Sequence, residues 1–528
     1  MQALEAPDSD GHFRRLFLWP RVFLEKLAKY SASSVEVLVD RYREGLSVVT
    51  DFSGVGSAEI ACLFIEHGLK DSGSEIFSSP EYVGLRCRRA SDSNPACRRI
   101  LLHDDCNPDF QGASHSAVSG QAHGCIFGSL EERVEPEVLQ KLRRMQGACK
   151  DNADSELDKA AEDSHRSIIR KWGREFVRMA VQFLQKSVTE LPTKVWCYRH
   201  EQACPFCVTH EQGGIDIAIA GPPCVDWSQI GQRHGWLGDG AIPFLLWAHE
   251  RRLCRERITI MENVVGFDDD ILDVVFPGYI TTVFPVSLRQ LGIPAHRDRI
   301  YIVILLPGAS WLLSEPRVVF AEIFTEQYLL TNSSQFYSAP KDVVDRNHEW
   351  QARTRGLPAS PSSGRAWQAK HVMSQPMVKR VRAWEEAVRA DLGLDRNQRA
   401  HVFMNAAQSA GRCGVMDVLP TLITNAHIWS MHSQRLLLVQ EMWEVQGFSM
   451  FEKGIPTEYM CPFRVCVLDA LAALESSPEA SATRTGRRCA KRPRDWQLSH
   501  HDLRVMAGNS MSLQCMGAIL LFVLTFVR

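Results

Sequence analysis

Short, almost unbroken apolar runs recur along this chain, and each gives way to glycine, proline or an acid. Residues 46–51, 215–220, 258–260 and 300–304 are dominated by Leu, Val, Ile and Ala, and at that length they predict buried strands. The first run leads into Phe52-Ser53-Gly54-Val55-Gly56 and then into a helical pattern from Ala58 to Ile65. Strand, glycine turn and helix together predict the opening unit of a doubly wound α/β sheet, in which glycines let the backbone approach a ligand at the helix start. Glu81-Tyr82-Val83-Gly84-Leu85 predicts the second strand, and Asp92 follows it. An acid at that place is where such sheets bind ribose hydroxyls, and it is also an ordinary turn residue.

Elsewhere the pattern changes. Residues 131–190 are rich in Glu, Lys, Arg, Ala and Gln, with apolar positions such as Ile168, Phe176, Val177 and Leu184 at helical spacing. Together with a Cys/His-rich stretch they predict an insertion over 131–210. Residues 307–417 have poor periodicity and Pro-Ser punctuation at 357–364, which predicts a second, smaller domain. Core-like sequence resumes at Leu419 and is interrupted by a flexible basic segment at 476–494. The expected division is thus a helical extension at 1–45, a sheet domain at 46–306, the smaller domain at 307–417, and a return to the sheet domain at 418–528. No tandem repeat at a regular period is visible.

With 528 residues, 45% hydrophobic and 23% charged, the chain has the composition of a globular protein large enough for more than one domain. A formal charge of -2 gives no global attraction to a polyanion, so nucleic acid would have to meet local patches. Candidates are Arg86, Arg88 and Arg89; Arg251, Arg252, Arg255 and Arg257; Lys379, Arg380 and Arg382; and the segment from Arg484 to Arg494. Taken singly, each reads first as a solvated face. The acidic start predicts no signal peptide, and the apolar tail 518–527 is too short to span a bilayer and predicts a final core element. Sixteen cysteines without a secretory signal predict reduced thiols in an intracellular protein, nuclear if the source is eukaryotic and otherwise cytoplasmic. The run 487–494 reads equally as a nuclear address or a solvated linker.

The ends of the later strands carry the chemistry. Gly221-Pro222-Pro223-Cys224 holds a thiol just past one strand, in a turn stiffened by two prolines. Met261-Glu262-Asn263-Val264 ends the next run and offers a carboxylate, while Arg297 and Arg299 precede a third strand. A thiol, a carboxylate and two guanidinium groups at strand ends can meet over one planar, polar substrate.

In order, Phe52-x-Gly54-x-Gly56, Asp92, Gly221-Pro222-Pro223-Cys224, Glu262-Asn263-Val264, Arg297-x-Arg299, Gln446-Gly447-Phe448 and Gly508-Asn509-Ser510 resemble the motif set of the C5-cytosine DNA methyltransferases. The resemblance implies a Rossmann-like, S-adenosylmethionine-dependent sheet. It also implies that residues 307–417 are a target recognition domain. Phe52, Gly54, Gly56, Asp92, Pro223 and Asn509 would line the cofactor site. Cys224 would be the nucleophile, with Glu262, Arg297 and Arg299 completing the catalytic set. The implied partner is double-stranded DNA, with a flipped-out cytosine entering the pocket. Two other readings stay open: a tRNA cytosine methyltransferase, whose Cys-Phe-Thr signature is not visible here, and a catalytically weak binding scaffold that keeps the fold. The chain departs from the family pattern at Val225, where glutamine usually follows the nucleophile, at Ala295, where glutamine precedes the Arg-x-Arg pair, and at Ser129, where an aspartate is common.

A separate constellation lies before the nucleophile strand and outside that motif set. Cys197, His200, Cys204, Cys207 and His210 have spacing compatible with tetrahedral zinc, the candidate ligands being Cys197, His200, Cys204 and Cys207, and four protein ligands would make such a site structural. Scattered thiols in a cysteine-rich protein give the alternative reading.

Overall fold

All six residues of β1 (Leu46–Asp51) are buried, because parallel neighbours flank it on both sides. Those neighbours are β2 (Leu85–Ser91) and β6 (Ile217–Ala220). The computed structural model describes residues 9–73, 75–102, 124–206, 214–228, 231, 233–325, 328–358, 368–408, 416–476 and 498–528. The remaining strands of this sheet are β3 (Cys125–Phe127), β4 (Lys194–Cys197), β5 (Gln202–Pro205), β7 (Ile258–Val264), β8 (Ile280–Ser287) and β9 (Asp298–Leu305). The order across the sheet is β5-β4-β3-β2-β1-β6-β7-β9-β8. From β1 the chain winds one way through β2 and β3, then returns and winds the other way through β6 and β7. That reversal makes a topological switch point between β1 and β6, at whose carboxyl edge open α/β sheets take their ligands. The helices Ser57–Lys70 and Ala241–Cys254 supply the crossovers that parallel pairing demands. β9 runs antiparallel to β7, so the sheet is doubly wound α/β with an antiparallel strand near one edge.

The chain divides into two compact units. One comprises Leu24–Val286, Asp298–Ile323 and Met516–Arg528, and contains the large sheet. In it, the insertion helices Pro136–Leu157 and His165–Ser187 share a continuous core with the helix Ala241–Cys254, through Leu142, Cys149, Phe176, Ala180, Leu245 and Trp247. In the Cys/His-rich part of the expected insertion, β4 and β5 form a hairpin that extends the sheet edge. Its final segment also completes the unit: Phe522 packs edge-on against Phe284 and Phe320, and Arg41 Nη2 donates to the Val527 carbonyl at 2.5 Å. The expected apolar tail is therefore a buried core helix, Leu513–Phe526.

The second strand forms later than the apolar pattern suggests. Gly84 turns with φ 77°, Val83 is exposed, and pairing starts at Leu85. Polar residues fill β2 because Arg89 is neutralised in the core; one arginine of each of two expected basic patches is buried, while Arg86, Arg255 and Arg257 stay exposed. Arg89 is 3% exposed and Arg251 only 1%.

The other unit comprises Met1–Phe23, Ser287–Arg297 and Phe324–Cys515. It holds a small antiparallel sheet, Phe403–Asn405, Ile428–Ser430 and Arg435–Leu436, packed with the helix Gln375–Leu392 around Trp384, Val388, Met404 and Trp429. Residues 324–417 of the expected smaller domain fall in this unit, whose last segment continues to Cys515. Most of the basic segment 476–494 lies outside the described residues.

Candidate active site

The carboxyl edge of the large sheet gathers three structures at the switch point. After β1 the backbone turns through Phe52 at φ 52°, Gly54 at φ 58° and Gly56 at φ 84°. Positive φ at a phenylalanine is costly and is tolerated where surrounding structure fixes it, commonly at ligand sites. A Cβ placed on Gly54 would meet no atom within 4 Å, so this glycine borders open space. Asp92, just past β2, accepts from Gly54 N at 2.8 Å and from Asn94 N at 2.7 Å. Burial raises its pKa, against the lowering effect of these backbone donors. One carboxylate therefore clamps the glycine turn and keeps further lone pairs for a ligand hydroxyl. This donor set fits the ribose of a nucleoside cofactor.

Past β6, Cys224 opens a turn in which its carbonyl accepts from Trp227 N at 3.1 Å and Ser228 N at 3.0 Å. The loop beyond this cysteine is fastened tightly. Asp226 Oδ2 accepts from Gly240 N at 3.0 Å, and its backbone carbonyl accepts from Gly235 N at 3.0 Å. A Cβ on Gly238 would fall 2.0 Å from the Asp226 carboxyl carbon, and one on Gly266 would fall 2.7 Å from the Trp227 carbonyl oxygen. Trp227 packs within a ring cluster of Trp236, Phe244 and Phe267. These anchors explain the departure after the nucleophile: the Asp-Trp pair holds the loop, while Val225 is left 52% exposed beside Cys224.

Glu262 and Arg299 meet through strand register. Glu262 pairs with Tyr301 and Val264 with Arg299, so Glu262 and Arg299 are diagonal neighbours on one face. Arg299 Nε lies 2.8 Å from Glu262 Oε1, both side chains being largely buried. Because Ala220 pairs with Met261, the Cys224 turn and Glu262 leave adjacent strand ends on the same edge of the sheet.

Other expected residues are placed differently. Arg297, in the second unit, directs its guanidinium at backbone, donating to the carbonyls of Gly508 at 3.2 Å and Ser510 at 2.5 Å. Through these two bonds it fastens the Gly508-Asn509-Ser510 turn. Asn509 is exposed at the end of the helix His500–Asn509, and Gly508 is required there, since a Cβ would fall 2.8 Å from the backbone at Ile423 and Thr424. Ala295 is buried, in a bridge to Leu419. Ser129 caps the turn Leu130–Arg133 and bonds Glu132.

Beneath the switch point lies a charge network that sequence reasoning missed. Asp51 is within reach of Arg133 at 3.2 Å, Arg251 at 3.5 Å and Arg89 at 3.7 Å. Glu250 pairs with all these arginines, and Glu256 pairs with Arg251. Burial alone would raise the Asp51 pKa, yet Arg251, Arg89, Arg133 and the Ser91 hydroxyl hold it well below the usual carboxylate range.

At the sheet edge, Cys197, His200 and Cys204 do come together, and Cys125 of β3 joins them. Cys207 and His210 lie outside the described residues. No local spacing could reveal Cys125, because it arrives from another strand.

Comparison with known proteins bears on residues 209–452, which match the family model of C-5 cytosine-specific DNA methylases. No curated protein matches the chain. Among solved structures, an E. coli prophage protein described as a DNA modification methyltransferase aligns at 12% identity and TM-score 0.39, covering 90% of this chain and 98% of its own. A triple mutant of Spodoptera frugiperda DNMT2 aligns at 12% identity and TM-score 0.36, over 90% of this chain and 99% of its own. The S. pombe Dnmt2 methyltransferase aligns at 11% identity and TM-score 0.32, over 91% and 98%. Cys224, Glu262 and Arg299 all fall inside the stretch 209–452 that matches this family model.

Proposed function

We propose that this protein methylates carbon 5 of cytosine in double-stranded DNA, using S-adenosylmethionine. The observation that carries the reading is the Arg299–Glu262 pair held on the strand next to the Cys224 turn. Carbon 5 of cytosine is too electron-poor to attack a methyl sulfonium unaided. The Cys224 thiolate therefore adds at carbon 6, and the displaced π electrons make carbon 5 nucleophilic. Glu262, oriented by Arg299, accepts from the exocyclic amine and, as the carboxylic acid, donates its proton to N3, neutralising the negative charge that builds there as sulfur adds; N3 returns that proton when the thiolate leaves. Arg299 also faces the O2 side. After methylation, carbon 5 loses its proton and the thiolate leaves carbon 6, restoring the ring.

The cofactor supplies an electrophilic methyl group when bound. Asp92 would hold its ribose, the Phe52–Gly56 turn would bring backbone close to its amino-acid part, and Pro223 would border it from the nucleophile side. The target base has to leave the stack to reach a thiol held in a turn. A fastened nucleophile loop supports this reading, since catalysis gains when the attacking group is positioned in advance.

Trapping on a duplex carrying 5-fluorocytosine tests the assignment, because fluorine blocks the final proton loss and freezes the thiol adduct. The expected result is a covalent adduct on Cys224 that disappears in Cys224→Ser, which still binds S-adenosylmethionine. An adduct mapped to another cysteine refutes the nucleophile. Adduct formation with tRNA and not with duplex DNA would reassign the substrate.

A further inference from the structure

At the far edge of the large sheet, side chains from three successive strands converge on one point. Cys125 opens β3, Cys197 closes β4, His200 sits in the hairpin turn and Cys204 lies on β5. Their sulfurs and an imidazole nitrogen all lie within 4.8 Å of one another. His200 Nδ1 is 3.7 Å from Cys125 Sγ, 3.4 Å from Cys197 Sγ and 3.2 Å from Cys204 Sγ. In a tetrahedral zinc centre, Zn–S bonds of about 2.3 Å and Zn–N bonds of about 2.0 Å put nitrogen and sulfur about 3.5 Å apart. The observed edges bracket that value.

We propose that Cys125, Cys197, His200 and Cys204 bind one structural zinc ion. The donors are soft, three thiolates and an imidazole with no carboxylate among them, which selects zinc over calcium or magnesium. Four protein ligands close the coordination sphere, so the ion has no open position for a substrate. Cys197 and Cys204 are buried and the other two half-buried, which shields the centre. Ile126 N lies 3.4 Å from Cys197 Sγ, as a backbone donor supporting a thiolate does.

The local packing explains what the ion is for. The hairpin joins the sheet through β3, where Phe127 pairs with Cys197, and its apolar core consists of Phe127, Val195, Cys197, Cys204 and Phe206 with Leu191 and Cys125 at the margin. So small a core benefits from a metal staple. The stapled strand also reaches the cofactor side of the sheet, since the Phe127 carbonyl accepts from Asp92 N at 3.3 Å. Zinc would then hold the strand against which Asp92 is set. Metal content is measured without substrate, so the zinc centre stands or falls separately from the chemistry proposed above.

The test is metal analysis of the full chain purified from zinc-supplemented medium, followed by cobalt substitution. One zinc per chain is expected, and the cobalt form should show thiolate-to-metal charge transfer in the near ultraviolet with the intense visible bands of a tetrahedral site. Cys125→Ser should lose the metal, whereas Cys207→Ser should keep one ion per chain. A metal-free parent that takes up no cobalt, or a weak octahedral cobalt spectrum, overturns the proposal. So does loss of the ion in Cys207→Ser. If Cys125→Ser does not fold, the parent spectrum and the Cys207→Ser stoichiometry still decide.

Discussion

Replacing Asp51 by asparagine leaves the shape of the site beneath the switch point intact and removes one charge from it. Arg89, Arg133 and Arg251 are opposed there by Asp51, Glu250 and Glu256, so the buried cluster is neutral as built. Asp51 is 1% exposed, and water cannot replace what it supplies. Asparagine keeps an acceptor for the Ser91 hydroxyl, now 2.5 Å from Oδ1, so the loss is mainly electrostatic. An uncompensated buried charge costs about 3–5 kcal/mol, a large share of the roughly 5–15 kcal/mol that holds a domain together. With a urea dependence of about 3 kcal/mol per molar, the unfolding midpoint should fall by about 1–2 M. Urea titration followed by tryptophan fluorescence and circular dichroism measures this. Adding Arg133→Met restores neutrality, and the double variant should recover much of the lost stability. A single-variant midpoint within about 0.3 M of the parent would show that the cluster does not act as a balanced unit.

Glu262→Gln should slow single-turnover methyl transfer by about a hundredfold while leaving cofactor affinity nearly unchanged; a rate within a few-fold of the parent refutes its role at the ring edge. Gly238→Ala pushes a methyl group into the Asp226 carboxylate, so the Cys224 loop should shift and the rate fall by about a hundredfold without loss of S-adenosylmethionine binding. An unchanged rate would mean that the Asp226 anchor is dispensable. Glu59 is buried, which pushes its carboxyl up to about 7 despite its bond to the Thr50 hydroxyl. The folded state binds that proton more tightly than the unfolded state, so the contribution is complete below the ordinary carboxylate pKa and is lost as pH rises through about 7. The loss amounts to about 3 kcal/mol. Glu59→Gln should flatten this decline in thermal midpoints taken between about pH 5 and about pH 8, and a parent equally stable across that range contradicts the assignment.

How much of the molecule was legible beforehand depends on where the information resides. β1, β6, β7 and β9 announce themselves because strands buried in a sheet centre must be apolar throughout, and the glycine turn and strand-end residues follow from their positions. β2 does not announce itself, because Arg89 is compensated by Glu250 from a distant helix. The same pairing removes Arg251 from the surface. Arg297 and Arg299 look alike in sequence, yet register gives one a carboxylate and the other a pair of backbone carbonyls. Three metal-ligand candidates were visible through their spacing, whereas Cys125 is brought in by β3 pairing. The smaller unit was legible only as a change in texture, since its helices and short strands are bounded by tertiary contacts.

The order in which the chain is made does not match the order in which its sheet unit is assembled. β1 leaves the ribosome early, but the core around it includes Met516–Arg528, with Phe522 wedged against Phe284 and Phe320. At about 5–20 residues per second, roughly 25–90 s separate the synthesis of those two parts. From about midway through that interval the apolar strands β6, β7 and β9 have all been made but cannot be fully covered. Biosynthesis of this protein therefore passes through a long-lived nascent species with exposed sheet surface. Its yield in a cell should depend on chaperone supply more steeply than that of a protein whose domains follow one another along the chain.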